Sequence, residues 1–236
     1  MGTELRARSG FTGLPARLNL SQPELVLGLH REYVAAGARL LVANTLGGTP
    51  EEIAAGVALA KQAAAGVPSP GLSHRGGRGI LVAASISHLD DVAAADEADL
   101  VVFETLTSLE VLEDVLRGGK PVLATFSFGA DGRLDGLTPA EVARRVADLG
   151  LAAWGYGCGF GPEAAARVLA ALRQAAPEAV LIAKPNLGLP PYAITPEQMA
   201  AWAGDMAALG VTILGACCGS APAHIRAMAG ALVDFS

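Results

Sequence analysis

The sequence has few cysteines, few aromatic residues and no excess of positive charge, and these shortages exclude several classes of protein. Three cysteines among 236 residues cannot build a disulfide framework, so we expect a reducing, cytoplasmic environment. The net charge of −6 argues against nucleic acid or an acidic membrane surface as a partner. No apolar run is long enough to cross a bilayer, and the opening "MGTELRARSG" lacks the apolar core of a signal peptide.

What the sequence does have is a rhythm of short apolar runs separated by alanine-rich segments with helical spacing. The runs cover residues 40–45, 80–86, 99–105, 121–128, 152–159, 179–186 and 211–218. Runs this continuously apolar are typical of parallel strands that are covered on both faces. No G-x-G-x-x-G turn follows the first run, which disfavours a dinucleotide-binding sheet. We therefore predict an α/β fold, a single (β/α)8 TIM-type barrel domain over residues 1–236 that lacks its first strand.

Helix starts are marked by polar residues that cap the backbone. Four segments fit a capping box: Ser21 with Glu24, Thr49 with Glu52, Thr138 with Glu141, and Thr195 with Gln198. Ser220 is predicted to cap the last helix. Residues 66–79, rich in glycine and proline, are predicted to form a loop.

All three cysteines fall where predicted strands end. In a barrel the chemistry lies at the carboxyl ends of the strands, so Cys158, Cys217 and Cys218 are expected to share one rim. Adjacent side chains point to opposite faces of a strand, so Cys217 and Cys218 can bind one ion only if the strand breaks, as Gly215 and Gly219 permit. Three thiols with a fourth position open form a ligand set typical of zinc. Burial as small apolar residues, or a strained disulfide between the adjacent pair, are the alternatives.

Several motifs resemble those of the homocysteine S-methyltransferase family. The segment "GACCGSAPAHI" resembles the family signature G-G-C-C-G-T-x-P-x-H-I, and "GYGCGFGP" resembles G-x-N-C-x-x-G-P, with Gly157 in place of Asn. "MGTEL", "LHREYVAAGARLLVANTL", "FETLTSLEV" and "AKPNLGLP" resemble further family motifs in the same order along the chain. In that comparison the family's first strand, with its substrate-binding Asp, would lie before Met1.

The resemblance implies a function and a set of site residues. Cys158, Cys217 and Cys218 would be the three zinc thiolates, and the sulfur of homocysteine would take the fourth position. The substrate thiolate would accept a methyl group from a small donor of the S-methylmethionine, betaine or methylfolate type, giving methionine, with no catalytic residue beyond the metal ligands. Glu104 would bind the substrate ammonium. Additional substrate contacts are expected from Thr45, Ser85 and Asn186.

Two other interpretations of the same residues stay open. Lys184 at a strand end could form a Schiff base, as in aldolase-type barrels, if burial lowers its pKa. The chain could also be a relative of the family that binds zinc or thiols without transferring a methyl group.

Overall fold

Seven parallel strands form a curled sheet in the computed structural model, which describes residues 1–67, 79–110, 112, 119–188 and 193–233. The strands are β1 (Leu40–Val42), β2 (Leu81–Ile86), β3 (Leu100–Leu106), β4 (Val122–Phe126), β5 (Ala153–Cys158), β6 (Leu181–Pro185) and β7 (Ile213–Leu214). Each strand pairs in parallel with the next strand in the sequence, so within the described residues β1 and β7 are the two edges. The predicted α/β fold of the TIM-barrel type is confirmed, with seven parallel strands among the described residues.

Helices connect the strands and cover the outer face of the sheet. They are α1 (Gly2–Ser9), α2 (Leu18–Ser21), α3 (Pro23–Ala35), α4 (Pro50–Ala64), α5 (Pro139–Val146), α6 (Gly161–Ala175), α7 (Pro196–Ala208) and α8 (Pro222–Ala231). Two short 3₁₀ helices, Pro15–Arg17 and Leu89–Ala95, complete the described elements. Among the helices that the structure describes, none combines the length and apolarity that a bilayer crossing needs.

The capping predictions are right at three helices. Thr49, Thr138 and Thr195 each accept a hydrogen bond from the third backbone N–H of α4, α5 and α7, and the acidic or amide partner closes the box. Proline at the first helical position of each adds a preset backbone angle. These boxes fix where the helices begin after β1, β4 and β6.

The capping predictions are wrong at Ser21 and Ser220. Ser21 lies in the last turn of α2, and its hydroxyl donates to the carbonyl of Arg17, so it cannot cap α3. Ser220 precedes the N-cap of α8, which is Ala221, and donates instead to the carbonyl of Cys217 at 2.7 Å. In both cases the hydroxyl donates a hydrogen bond to a carbonyl of the preceding segment, so it does not cap the following helix. Most of the predicted 66–79 loop, residues 68–78, lies outside the described residues.

The two faces of the sheet bury different residues, as the two-residue strand period requires. Val82, Ala84 and Phe103 point outward into the larger apolar cluster between sheet and helices. Ala83, Leu100 and Val102 belong to a smaller cluster on the inner face, together with Leu123, Ala153 and Ile182. The inner positions nearer the carboxyl ends of β2, β3 and β6 are polar instead. The interior of the half-barrel is therefore apolar at its base and polar at its rim.

We predict that Gly155→Ala destabilises the protein strongly. A Cβ at Gly155 would lie 2.1 Å from the carbonyl oxygen of Ile182, its pairing partner on β6, so the two strands would have to separate. Overpacking of this kind costs about 1–3 kcal/mol of unfolding free energy, which urea denaturation measures directly. Gly204→Ala is the matched control, because the site is helical and, apart from the chain neighbours and the backbone of its own helix, no atom lies within 4 Å of the added methyl group. An unchanged urea midpoint for Gly155→Ala would contradict the packing argument.

Candidate metal centre

The three cysteines come together at the carboxyl rim of the sheet. Their sulfur atoms all lie within 4.8 Å of one another. Three thiolates around one zinc ion at about 2.3 Å would stand about 3.8 Å apart, so small side-chain rotations bring the set into contact with one ion. Cys158 and Cys217 are partly buried, whereas Cys218 is exposed, so the cluster is reachable from solvent. The donor set fits a thiolate-bound metal.

The end of β6 holds both cysteine segments in place through backbone hydrogen bonds. The Asn186 N–H donates to the carbonyl of Cys158 at 2.9 Å, and the Leu187 N–H donates to the carbonyl of Cys218 at 2.9 Å. Between them, the Cys217 N–H donates to the carbonyl of Pro185 at 2.9 Å. A single strand end therefore sets the spacing between the two cysteine segments.

The backbone at the cysteines leaves regular strand geometry. Cys158 has a φ of 56°, a left-handed value that is uncommon for residues other than glycine and concentrates at functional sites. β7 ends at Leu214, before the adjacent cysteines, and Gly219 after them has a φ of 78°. A Cβ at Gly219 would lie 1.8 Å from the carbonyl oxygen of Gly188, so the close approach of the two loops requires glycine. The predicted break at the adjacent pair is present.

The thiols influence one another's ionisation. Hydrogen bonds from Cys158 and Cys217 lower the pKa of Cys218, whereas hydrogen bonding to Cys217 and Cys218 raises the pKa of Cys158. One thiolate forms readily, and a second or third adds repulsion at short range. The positive charge of a bound metal ion would offset that repulsion, so that all three coordinating thiols could be deprotonated together.

A buried charge pair lies beside the cysteines on the inner face. Glu104 on β3 accepts hydrogen bonds from the ammonium of Lys184 on β6 and, at 2.7 Å, from the hydroxyl of Ser85 on β2. The side chains of Lys184 and Glu104 are only 14% and 16% exposed. Burial disfavours the charge of Lys184, but the negative charges of the neighbouring Glu104 carboxylate and Cys217 thiolate together outweigh it and raise the Lys184 pKa.

Lys184 is therefore held as a cation. A Schiff-base lysine needs a neutral amine, which burial without a counter-ion would supply. Here the counter-ion is present, so the geometry argues against the Schiff-base alternative. The contact between Lys184 and Glu104 itself was not predicted, although both residues end apolar runs at inward-facing positions, which is the signal that could have revealed it.

The other predicted substrate residues have structural partners. The Thr45 hydroxyl donates to the carbonyl of Ser85 at 2.7 Å and is fully buried, which ties the end of β1 to β2. The Asn186 side-chain oxygen accepts from the Gly188 N–H at 2.9 Å and shapes the loop after β6. Ser85 and Glu104 are joined directly, whereas among the described residues Thr45 is linked to this pair through the Ser85 carbonyl. A substrate role for these four residues stays a prediction.

A curled parallel sheet that gathers three thiols at its carboxyl rim defines an α/β barrel-type protein with a candidate metal centre. A sequence profile described as homocysteine S-methyltransferase matches residues 1–90 and 81–232. The chain belongs to the homocysteine S-methyltransferase family.

Individual relatives agree with that assignment. Mouse S-methylmethionine–homocysteine S-methyltransferase BHMT2 is 28% identical over 259 residues, covering 89% of this chain and 70% of that protein. Betaine–homocysteine S-methyltransferase 1 of Xenopus tropicalis is 32% identical over 151 residues, covering 54% of this chain and 37% of that protein. Methionine synthase of Mycobacterium tuberculosis is 27% identical over 292 residues, covering 100% of this chain but only 24% of that protein.

A solved structure shows the same fold. The metallated form of the Escherichia coli homocysteine methyltransferase MmuM superposes with a TM-score of 0.77 at 21% identity, covering 97% of this chain and 93% of that chain. At this identity the similarity establishes the architecture and leaves the chemistry to be argued from the residues of the site.

Proposed function

We propose that this protein transfers a methyl group from a small donor to the sulfur of homocysteine, giving methionine, with zinc held by Cys158, Cys217 and Cys218. The observation that carries the proposal is the cluster of three sulfur atoms within 4.8 Å, in a chain that belongs to this family. Three protein ligands leave a tetrahedral ion one open position for a substrate thiol. When bound, zinc lowers the pKa of a thiol in that position and so supplies a thiolate at neutral pH.

The methyl transfer itself is a displacement at carbon. The substrate sulfur forms a bond to the methyl carbon while the bond from that carbon to the donor's sulfur or nitrogen breaks, and the electron pair leaves with the donor atom. The three cysteines position the attacking sulfur at the rim, where exposed Cys218 leaves room for a donor to approach. Orientation of the two reactants then supplies much of the rate enhancement. Donors of the S-methylmethionine, betaine and methylfolate types are all candidates.

Homocysteine binding should release a proton near neutral pH. A free thiol has a pKa of about 8.5 and is mostly protonated at pH 7, so entry as a thiolate sends close to one proton into the buffer. Titration calorimetry in buffers of different ionisation enthalpy measures this number. The release should fade above about pH 8.5, because the substrate is then already ionised.

One control makes this measurement specific. Homoserine, which has a hydroxyl group in place of the thiol, should bind weakly and release no proton. Homocysteine binding without proton release at pH 7 would refute the proposed site. Proton release without methionine formation from any donor type would instead favour a thiol-binding relative without methyl transfer.

A further inference from the structure

Glu104 has its charge paired by a cation of the chain itself, and each of its two carboxylate oxygens already accepts one hydrogen bond. One carboxylate oxygen accepts from the Lys184 ammonium, and the other accepts from the Ser85 hydroxyl at 2.7 Å. The resemblance assigns this carboxylate to the ammonium group of homocysteine. The structure shows that a protein ammonium is already there.

A second ammonium group could reach Glu104 only beside or in place of Lys184. Two cations near one largely buried carboxylate repel each other, and removing Lys184 from its partner would leave a buried charge unpaired. The stem of Lys184 is also confined, because the Gly215 backbone packs so closely that a Cβ there would lie 3.3 Å from the Lys184 Cγ. A substrate amino group therefore gains little from Glu104 in this chain.

Lys184 can bind the carboxylate end of a ligand. An ammonium has three N–H donors, and within the described residues the Glu104 carboxylate is the one hydrogen-bond acceptor found for it. Cys158 is the last residue of β5, and Lys184, the last but one of the neighbouring β6, pairs with Gly157 in the strand register. A thiol that reaches the cysteine cluster can thus place a carboxylate near Lys184.

We infer that Lys184 is a specificity-determining residue. It occupies the position at Glu104 that a substrate ammonium would take, so that the site accepts thiols carrying a carboxylate without requiring an α-amino group. This inference rests on the proposed function, because it concerns the same thiol position. The substrate class is widened from homocysteine to short ω-thiol carboxylates.

The test compares homocysteine with 4-sulfanylbutanoate, which is the same molecule without its amino group. Calorimetric Kd values for zinc-loaded wild-type protein should differ by less than about tenfold between the two thiols. Lys184→Gln and Lys184→Met remove the charge and free Glu104, so each should raise the preference for homocysteine by about tenfold or more, corresponding to about 1.4 kcal/mol. Lys184→Arg retains a cation and is the matched control, with the wild-type preference expected.

The outcomes separate this inference from the proposed function. If both thiols bind and wild type prefers homocysteine by more than about tenfold, or the charge-removing variants leave the preference unchanged, the role of Lys184 is overturned while the function stands. If neither thiol binds zinc-loaded wild type, both fail. Should both charge-removing variants fail to fold, the wild-type ratio alone decides.

Discussion

Cys217→Ala and Cys218→Ala should each abolish metal binding and methyl transfer. Wild-type protein purified with zinc should carry about one ion per chain, since the three thiols fit a single tetrahedral ion. Loss of one thiolate leaves two ligands from separate strand ends, which do not make a closed site. We expect metal content to fall to near zero by atomic emission spectroscopy, and methionine formation to fall by more than about 100-fold, beyond the loss typical of outer-shell changes around a metal.

Ser127→Ala is the matched control for these variants. Ser127 also follows a strand end and is not one of the three clustered ligands, and the substitution removes one side-chain atom, as Cys→Ala does. It should retain about one zinc per chain. Undiminished zinc in both cysteine variants would show that the cluster does not hold the ion.

Acid should destabilise the protein through His30, a residue outside the site. His30 lies in α3 with its side chain fully buried, and neither ring nitrogen has a hydrogen-bond partner among the described residues. Burial lowers its pKa from 6.5 to about 4. Between about pH 6.5 and about pH 4, the unfolded state therefore binds a proton at His30 that the folded state does not bind. Stability should be unaffected above pH 6.5 and should fall by on the order of 3 kcal/mol between these values.

His30→Leu keeps a similar volume and removes the titrating ring. Urea denaturation at several pH values between 7 and 4 should show a shallower loss of unfolding free energy for His30→Leu than for wild type, with no loss of stability at pH 7. His88→Gln serves as the control, because His88 is exposed and its substitution should leave the wild-type slope intact. Equal slopes for wild type and His30→Leu would contradict this role for His30.

Local sequence patterns predicted much of the architecture. The continuous apolar run 121–128 marked a strand that is buried on both faces, the run 211–218 marked a short, partly buried edge strand, and the threonine boxes marked three helix starts. The strands are shorter than the runs, since β7 covers only Ile213–Leu214. The apolar pattern records burial, whereas a strand also needs paired backbone, and the cysteine segment breaks that pairing.

The caps at Ser21 and Ser220 show the limit of motif spacing. Both residues have the right chemistry, and Ser21 has an acidic residue at the right distance, yet each hydroxyl donates to a carbonyl of the preceding segment. Which acceptor a serine meets depends on where the previous element ends, and spacing does not report that.

The sequence by itself determined the strand–helix alternation, the three cysteines at strand ends and the glycines that let the backbone turn there, because these follow from local periodicity and residue chemistry. Only the tertiary structure decided that Lys184 contacts Glu104, that Ser85 donates to the second Glu104 oxygen and that His30 has no hydrogen-bond partner among the described residues. The two contacts of Glu104 join residues far apart in the chain. They depend on which strand positions face inward and on the curvature of the sheet, which together bring side chains of separate strands to one rim.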